Sequence, residues 1–387
     1  MMKKKVVLLF VLAMTATSVF GACSPKADNG KETQGIQTEH QVESESKEET
    51  KEAETAKEET DSSESHNAQI VSDGTVTVTD MNGREVTLPE NIESIATFGS
   101  IGVINAFVEL MGEGDKICNQ MTANFTKSDK WKMQYEFAPQ IKDAPLFQNA
   151  DGEILIEEVL KVKPDLCLVM SKDLIEPLES SGLNVVYFEW KQTEDVKTAV
   201  TLMGDALGKQ DIAEDYIKFF DETVASVEEL TKDLEEGDKK KVIYGNIEKF
   251  NQPHVIAEWW IAAAGGISVT DDGRTSGDSY EYTIEDLLLW NPEVMFVMDQ
   301  AAMEEIKSDS KLAEITAVKE EKIYSVPTVA HVWGNRTVEQ PLTVLWAANK
   351  IYPDLVTEDM LSEKIAYFYS HFFQYDLSEE QISQMIG

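Results

Sequence analysis

One stretch of this chain occurs twice, and any fold has to accommodate both copies. The first reads Ile156-Glu157-Glu158-Val159-Leu160-Lys161-Val162-Lys163-Pro164-Asp165-Leu166-Cys167-Leu168-Val169-Met170, the second Ile284-Glu285-Asp286-Leu287-Leu288-Leu289-Trp290-Asn291-Pro292-Glu293-Val294-Met295-Phe296-Val297-Met298. In each, apolar residues at i, i+3 and i+4 (Ile156, Val159, Leu160; Ile284, Leu287, Leu288) line one face of a helix, and a proline closes it. The apolar run after Pro-Asp or Pro-Glu reads as a strand buried on both faces, as in a parallel sheet. Each copy is therefore the helix-to-strand half of a βαβ unit. The copies lie 128 positions apart, from Glu157 to Glu285, beyond any solenoid period, so the duplicated unit is an α/β lobe and two are expected.

Length and composition allow this, since 387 residues with 42% hydrophobic content can fill two cores. The N-terminus belongs to neither. Three lysines lie within residues 1–5, residues 6–19 are mostly apolar but short for a membrane span, and Gly21-Ala22 precede Cys23. This pattern resembles a bacterial lipoprotein signal, with Phe20 where leucine is usual. The resemblance implies cleavage before Cys23 and acylation of its thiol; a plain secretory peptide is the alternative. From Ser24 the chain is Glu, Lys, Ser and Thr with few apolar residues, so 24–70 reads as a solvated acidic tether. Cys118 and Cys167 fall in apolar runs, where two free buried thiols are expected and a disulfide is the alternative. The formal charge of −37 rests on 34 basic and 71 acidic residues, and Arg84, Arg274 and Arg336 are the three arginines. That balance excludes a nucleic-acid partner, which needs a basic footprint.

Residues 76–88 read as a hairpin around Asn82-Gly83, 95–98 as a strand, 99–102 as a tight turn into a helix over 103–111, and 116–118 as another strand. An irregular excursion over 121–147 precedes the first copy, and 184–188 closes the first sheet. A helix over 193–207 and a second over 211–234 follow. The second carries a long apolar stripe and would be on the order of 35–40 Å in length, a rigid connector. Strand 242–244, helix 256–264 capped by Gly265-Gly266, the second copy, helix 311–318, strand 323–326, loop 327–336 and helix 338–351 compose the second lobe. Ser378 and Gln381 form a capping box in an aromatic tail over 365–386.

This layout resembles the ferric-siderophore and cobalamin binding family of ABC importers. The residues that carry the likeness are the hairpin 78–89, Lys163-Pro164-Asp165-Leu166, Asn291-Pro292-Glu293-Val294, Ala263-Ala264-Gly265-Gly266, and Leu345-Trp346-Ala347-Ala348 with Tyr352-Pro353. The likeness runs from about residue 76 to the C-terminus. It implies an α/β fold of two Rossmann-like lobes joined by a single long α-helix, a class III solute-binding protein. The expected boundaries are a signal at 1–23, the tether at 24–70, lobes at 71–191 and 238–387, and the connector at 192–237. It also implies that Glu157 and Glu285 dock onto arginines of a membrane permease; acids favourably placed near a helix N-terminus are the alternative.

Open α/β sheets bind ligands beyond the carboxyl ends of their strands. That rule nominates Ser100, the segment after Cys118, Lys172 and Trp190 from the first lobe, and the loop 246–254, Glu258, Trp259, Trp260, Tyr282, His331, Trp333 and Arg336 from the second. Trp259 and Trp260 lie about 100° apart on a helix, so one is expected in the core and the other in the cleft. Arg336 suits an anionic group, and a surface ion pair is its other reading. His331 is expected to be an ordinary hydrogen-bonded histidine rather than a metal ligand, since no second ligand stands at metal spacing. No catalytic residue, resident cofactor or protein-bound metal is expected. The expected protein is a monomer held on the extracellular face of the membrane by its lipid, passing a metal chelate to a permease. Siderophore, haem, corrinoid and oxyanion ligands stay open. A free metal-ion binder would need more histidines. A hydrolase is disfavoured because Gly99-Ser100-Ile101-Gly102 lacks the G-x-S-x-G spacing.

Overall fold

The structure is a computed structural model in which residues 69–387 are described, apart from 72–73, 128 and 275–278. The signal segment, Cys23 and nearly all of the tether lie outside the described residues. The antiparallel strands β1 (Gln69–Val71), β2 (Thr75–Thr79) and β3 (Glu85–Pro89) form a small sheet in the order β1-β2-β3, turning at Asn82-Gly83 as expected. β1 is an addition, because composition alone places those residues at the end of the tether.

Two parallel sheets organise the rest. The first has β4 (Ile95–Phe98), β5 (Leu166–Val169) and β6 (Val185–Tyr187) in the order β4-β5-β6. After β7 (Lys241–Gly245), β8 (Asn251–Gln252), β9 (Ile267–Ser268), β10 (Tyr280–Glu281), β11 (Val294–Val297) and β12 (Ile323–Ser325), the second sheet has the order β12-β11-β7-β9. The repeat supplies the middle of each. Its helices, Ile156–Val162 and Ile284–Trp290, are seven residues long and end in left-handed non-glycine caps, Lys163 (φ 55°) and Asn291 (φ 47°). In both copies the acid after the proline pins the start of the neighbouring strand. Asp165 accepts from the Ser94 amide at 3.0 Å ahead of β4, and Glu293 from the Lys241 amide at 3.1 Å at the head of β7.

Alternate side chains of these strands enter different cores, as a two-residue period demands. Cys167, Val169, Val185 and Tyr187 pack outward with Val159 and Leu178, while Ile243, Met295 and Val297 pack outward with Leu287 and Ile306. The opposite faces, Leu166, Leu168 and Val186 in one sheet and Val242, Tyr244, Val294 and Phe296 in the other, join a single core filled by helices. The connector that joins the lobes shares this core. Helices Glu194–Leu207 and Gln210–Thr231 pack on each other, and the second also packs on Gln340–Ile351. Its 22 residues span about 33 Å.

Three other expectations change. Residues 116–118 form only a single bridge, Ile117 to Ile95, after a 3₁₀ turn. A helix at Gln300–Ser308, capped by Asp299, stands ahead of the expected helix 311–318, of which Thr316–Lys319 alone is α-helical. Its buried stripe is just Ala302 and Ile306, too sparse to read as amphipathic. Leu160 and Leu288, read as part of the buried helix face, are exposed. Cys118 and Cys167 are free thiols, both pushed up to about 12 by burial. Among the described residues no helix is long and apolar enough to cross a membrane.

Candidate ligand cleft

At the carboxyl ends of the first sheet, β4 leads through Gly99 and Ser100 into helix Ile101–Leu110, β5 is followed by Met170, and β6 runs on into Glu189, Trp190 and Lys191. Arg336, from the loop after β12, meets them. Ser100, Val103, Met170, Tyr187, Glu189, Trp190, Lys191 and Arg336 line an open cleft of ≈250 Å³. The Arg336 guanidinium donates to the Trp190 carbonyl at 2.5 Å, bridging the two halves of the molecule. Trp190 itself is buried, tilted against Phe107 at 5.6 Å, and its indole N–H has no hydrogen-bond acceptor. Burial pushes the Tyr187 phenol up to about 12, with the Glu189 carboxylate adding to the effect. Lys191 hydrogen bonds to Glu189 and holds its carboxyl below the usual range.

Beside this cleft the excursion after Cys118 folds back over the second half. Lys130 donates to the Met298 carbonyl at 3.2 Å, and Gln134 to the Ala330 carbonyl at 2.7 Å. Burial lowers the Lys130 pKa, partly offset by Asp299. Trp131 lies 5.1 Å from the His331 ring and 5.1 Å from Phe125. Gly102 permits this closure, because a Cβ there would stand 2.8 Å from Phe125 and 3.5 Å from His331. His331 is buried in this closure. Its Nδ1 is buried without a hydrogen-bond partner, and burial pushes the imidazole down to about 3, so the ring is neutral.

The remaining nominated residues divide. Lys172 stands at the cleft margin, donating to Asn82 at 2.8 Å with its ammonium 5.2 Å from the Tyr187 ring. Neither tryptophan of the adjacent pair faces the cleft, which corrects that expectation. Trp259 stacks on Phe220 of the connector at 5.9 Å, and Trp260 is wholly buried against Tyr244, donating to the Gly334 carbonyl at 3.1 Å. Trp333 is likewise wholly buried, and Tyr282 packs on Trp290 and Phe250 in the outer core of the second sheet. These rings follow strand ends in sequence, but the turns after the strands direct them inward. Sequence reasoning missed Val103, Met170, Tyr187, Glu189 and Lys191, although the strand-end rule that found Ser100 and Trp190 extends to their neighbours. Lys130 and Gln134 lie in the segment after Cys118 that the same rule nominates, but the excursion has no period to single them out.

A buried polar chain backs the His331 loop. The Thr97 hydroxyl donates to Asn105 at 2.8 Å, Asn105 to Gln134 at 3.0 Å, and Gln134 to Glu109 at 3.3 Å. Glu339 accepts from the amides of Ala330 and His331 at 3.0 and 2.8 Å, from Thr337 at 2.8 Å, and from the Tyr369 hydroxyl. Burial raises both carboxyls, Glu109 well above the usual range, with Glu339 adding repulsion. Glu109 has one side-chain donor, so it carries the proton, while the four donors on Glu339 favour its ionised form. Glu157 and Glu285 lie on the surface in the first turns of the two repeat helices. Among the described residues no group of three or more His, Cys, Asp or Glu could hold a metal ion.

Known proteins share this arrangement. The sequence profile of the periplasmic binding protein family matches residues 110–330, more than half of the chain. An uncharacterised ABC transporter substrate-binding lipoprotein of Bacillus subtilis, YvrC, is 22% identical over 295 residues, covering 73% of this chain and 87% of its own. The iron(3+)-hydroxamate-binding protein YxeB of the same organism is 21% identical over 225 residues, 52% of this chain and 67% of its own. The molybdate-bound structure of MolA from Haemophilus influenzae superposes with a TM-score of 0.67 at 19% identity, covering 78% of this chain and 99% of that one. On the profile match, with two parallel sheets in the fold, the chain belongs to the periplasmic binding protein family and is the solute-binding protein of an ABC transporter.

Proposed function

We propose that this protein captures an anionic metal chelate, a siderophore, haem or corrinoid complex, and delivers it unaltered to an importer permease. In this reading Cys23 carries the lipid, 24–70 is the tether, and the protein works as a monomer on the extracellular face of the membrane. Lobes at 71–191 and 238–387 are linked through 192–237, and the second reaches the cleft through Arg336. The observation that carries the ligand class is the convergence of Arg336, Lys191 and the helix start at Ser100 on one open cleft, with Glu189 paired to Lys191. Cations and an N-terminal dipole favour an anion. The hydroxamate-binding relative supports the same class.

A second reading is a compact oxyanion. The ≈250 Å³ cleft is below the ~300–1,000 Å³ usual for organic ligands, and the molybdate-bound neighbour has the same fold. Tryptophan-fluorescence titration against ferric siderophores, haem, cobalamin and molybdate separates the two. Saturable quenching by a chelate and none by molybdate supports the first; the reverse supports the second, and no response to any sinks both. Arg336→Ala should weaken the responding ligand by about ten- to a hundredfold, the value of a hydrogen bond to a charged group. Glu157 and Glu285 are assigned to permease docking, so charge reversal at both should abolish uptake with ligand affinity intact. Lost affinity would contradict that assignment.

A further inference from the structure

The described residues expose six large apolar side chains, and four of them, Leu160, Val162, Leu288 and Leu289, lie on the two seven-residue repeat helices. Leu160 and Leu288 occupy the same register and are similarly exposed, at 45% and 43%; Leu289 reaches 81%, the highest of the six. The same helices bury their other matched apolar position completely, Val159 in one and Leu287 in the other. The outward leucines are therefore not an overflow of the core. Each stands three residues after an exposed glutamate, Glu157 or Glu285, and so on the same side of its helix. A solvated face would place a polar residue there, and both copies place leucine.

We infer that Leu160 and Leu288, with Leu289, are apolar anchors that the permease buries around the two docking glutamates. The partner surface is then one with two equivalent sites, each a basic side chain ringed by apolar ones, as two identical or similar permease halves would present. This rests on the docking assignment of Glu157 and Glu285 and adds a division of labour. Acids at a rim steer encounter and give salt dependence, whereas buried apolar anchors slow dissociation. The copies differ in one respect: Lys161, paired with Glu158 at 2.6 Å, occupies the position of Leu289. The second site is the more apolar of the two.

The test is association of the full chain with its cognate permease in lipid nanodiscs, followed by surface plasmon resonance at low and high salt. The variants are Leu160→Ser with Leu288→Ser and Leu289→Ser, and Glu157→Gln with Glu285→Gln. The leucine variant should dissociate at least about tenfold faster, with its association rate and salt dependence close to wild type. The glutamate variant should associate more slowly and lose salt dependence. Unchanged melting temperature and ligand titration in both would place the effect at the interface. A leucine variant that dissociates like wild type, beside an impaired glutamate variant, overturns the anchors and leaves docking standing. If neither variant alters association, the docking assignment and the anchors both fail.

Discussion

Glu109 and Glu339 belong to different halves of the chain, and the buried space behind the His331 loop brings them together with a single net charge favoured between them. The protonated member sets a pH dependence whose sign follows from its raised pKa. Unfolded, the Glu109 carboxyl releases its proton near the ordinary value of 4.5, but folded it holds the proton to higher pH. Stability from this group is therefore complete below about pH 4.5 and falls as pH rises toward the folded value. Glu109→Gln removes that loss while leaving the Gln134 contact possible. Its melting temperature should exceed wild type at pH 7.5 and converge with it near pH 4, as thermal melts across pH would show. His331 acts with the opposite sign. Held neutral down to about 3, it costs stability as pH falls below its ordinary value. Because it stays neutral, ligand affinity should show no His331 inflection between about pH 5 and 8, measured by the same fluorescence titration.

The two repeat helices solve one geometric problem with different residues. Each must stop after seven residues and turn into a strand, and each does so with a left-handed cap followed by proline. Lysine gains nothing from that conformation, so Lys163→Gly should stabilise the protein by about 1 kcal/mol. Asn291 tolerates it better, and its side-chain oxygen also accepts from the Thr316 amide at 2.9 Å and hydroxyl at 3.2 Å. Asn291→Gly should therefore destabilise by about 1 kcal/mol. Paired denaturant melts of the two variants test for opposite signs. The N-terminal ends differ as well. Thr283 and Asp286 form a reciprocal capping box, while Leu155 in the first copy offers no side-chain cap.

At the scale of the molecule, the helical layer between the sheets makes one core out of faces that belong to both. Arg336 to Trp190, Lys130 to Met298 and Gln134 to Ala330 add hydrogen bonds across the same divide. A chain built this way has little to gain from unfolding half at a time. Scanning calorimetry of the whole protein should give one transition with equal calorimetric and van't Hoff enthalpies, whereas two resolved transitions would mean the sheets keep separate cores. The shared core also bears on ligand capture: cleft closure is limited to adjustments of loops and side chains around a continuous interior, as close packing implies.

Periodicity along the chain determined the repeat, its two parallel strands, the hairpin at Asn82-Gly83 and the long helix at Gln210–Thr231, because those are local patterns of apolar and turn residues. The strand-end rule reached Ser100, Trp190 and Arg336 for the same reason, since a loop's place after its strand is written in order of sequence. Tertiary structure alone decided which aromatic rings face the cleft. Trp260 and Trp333 are buried by helices and loops distant in sequence, and no local pattern shows which side of a turn will be covered. It also decided that Leu160 and Leu288, indistinguishable by period from their buried neighbours, stand in solvent, because which side of a helix meets the sheet is set by partners distant in sequence.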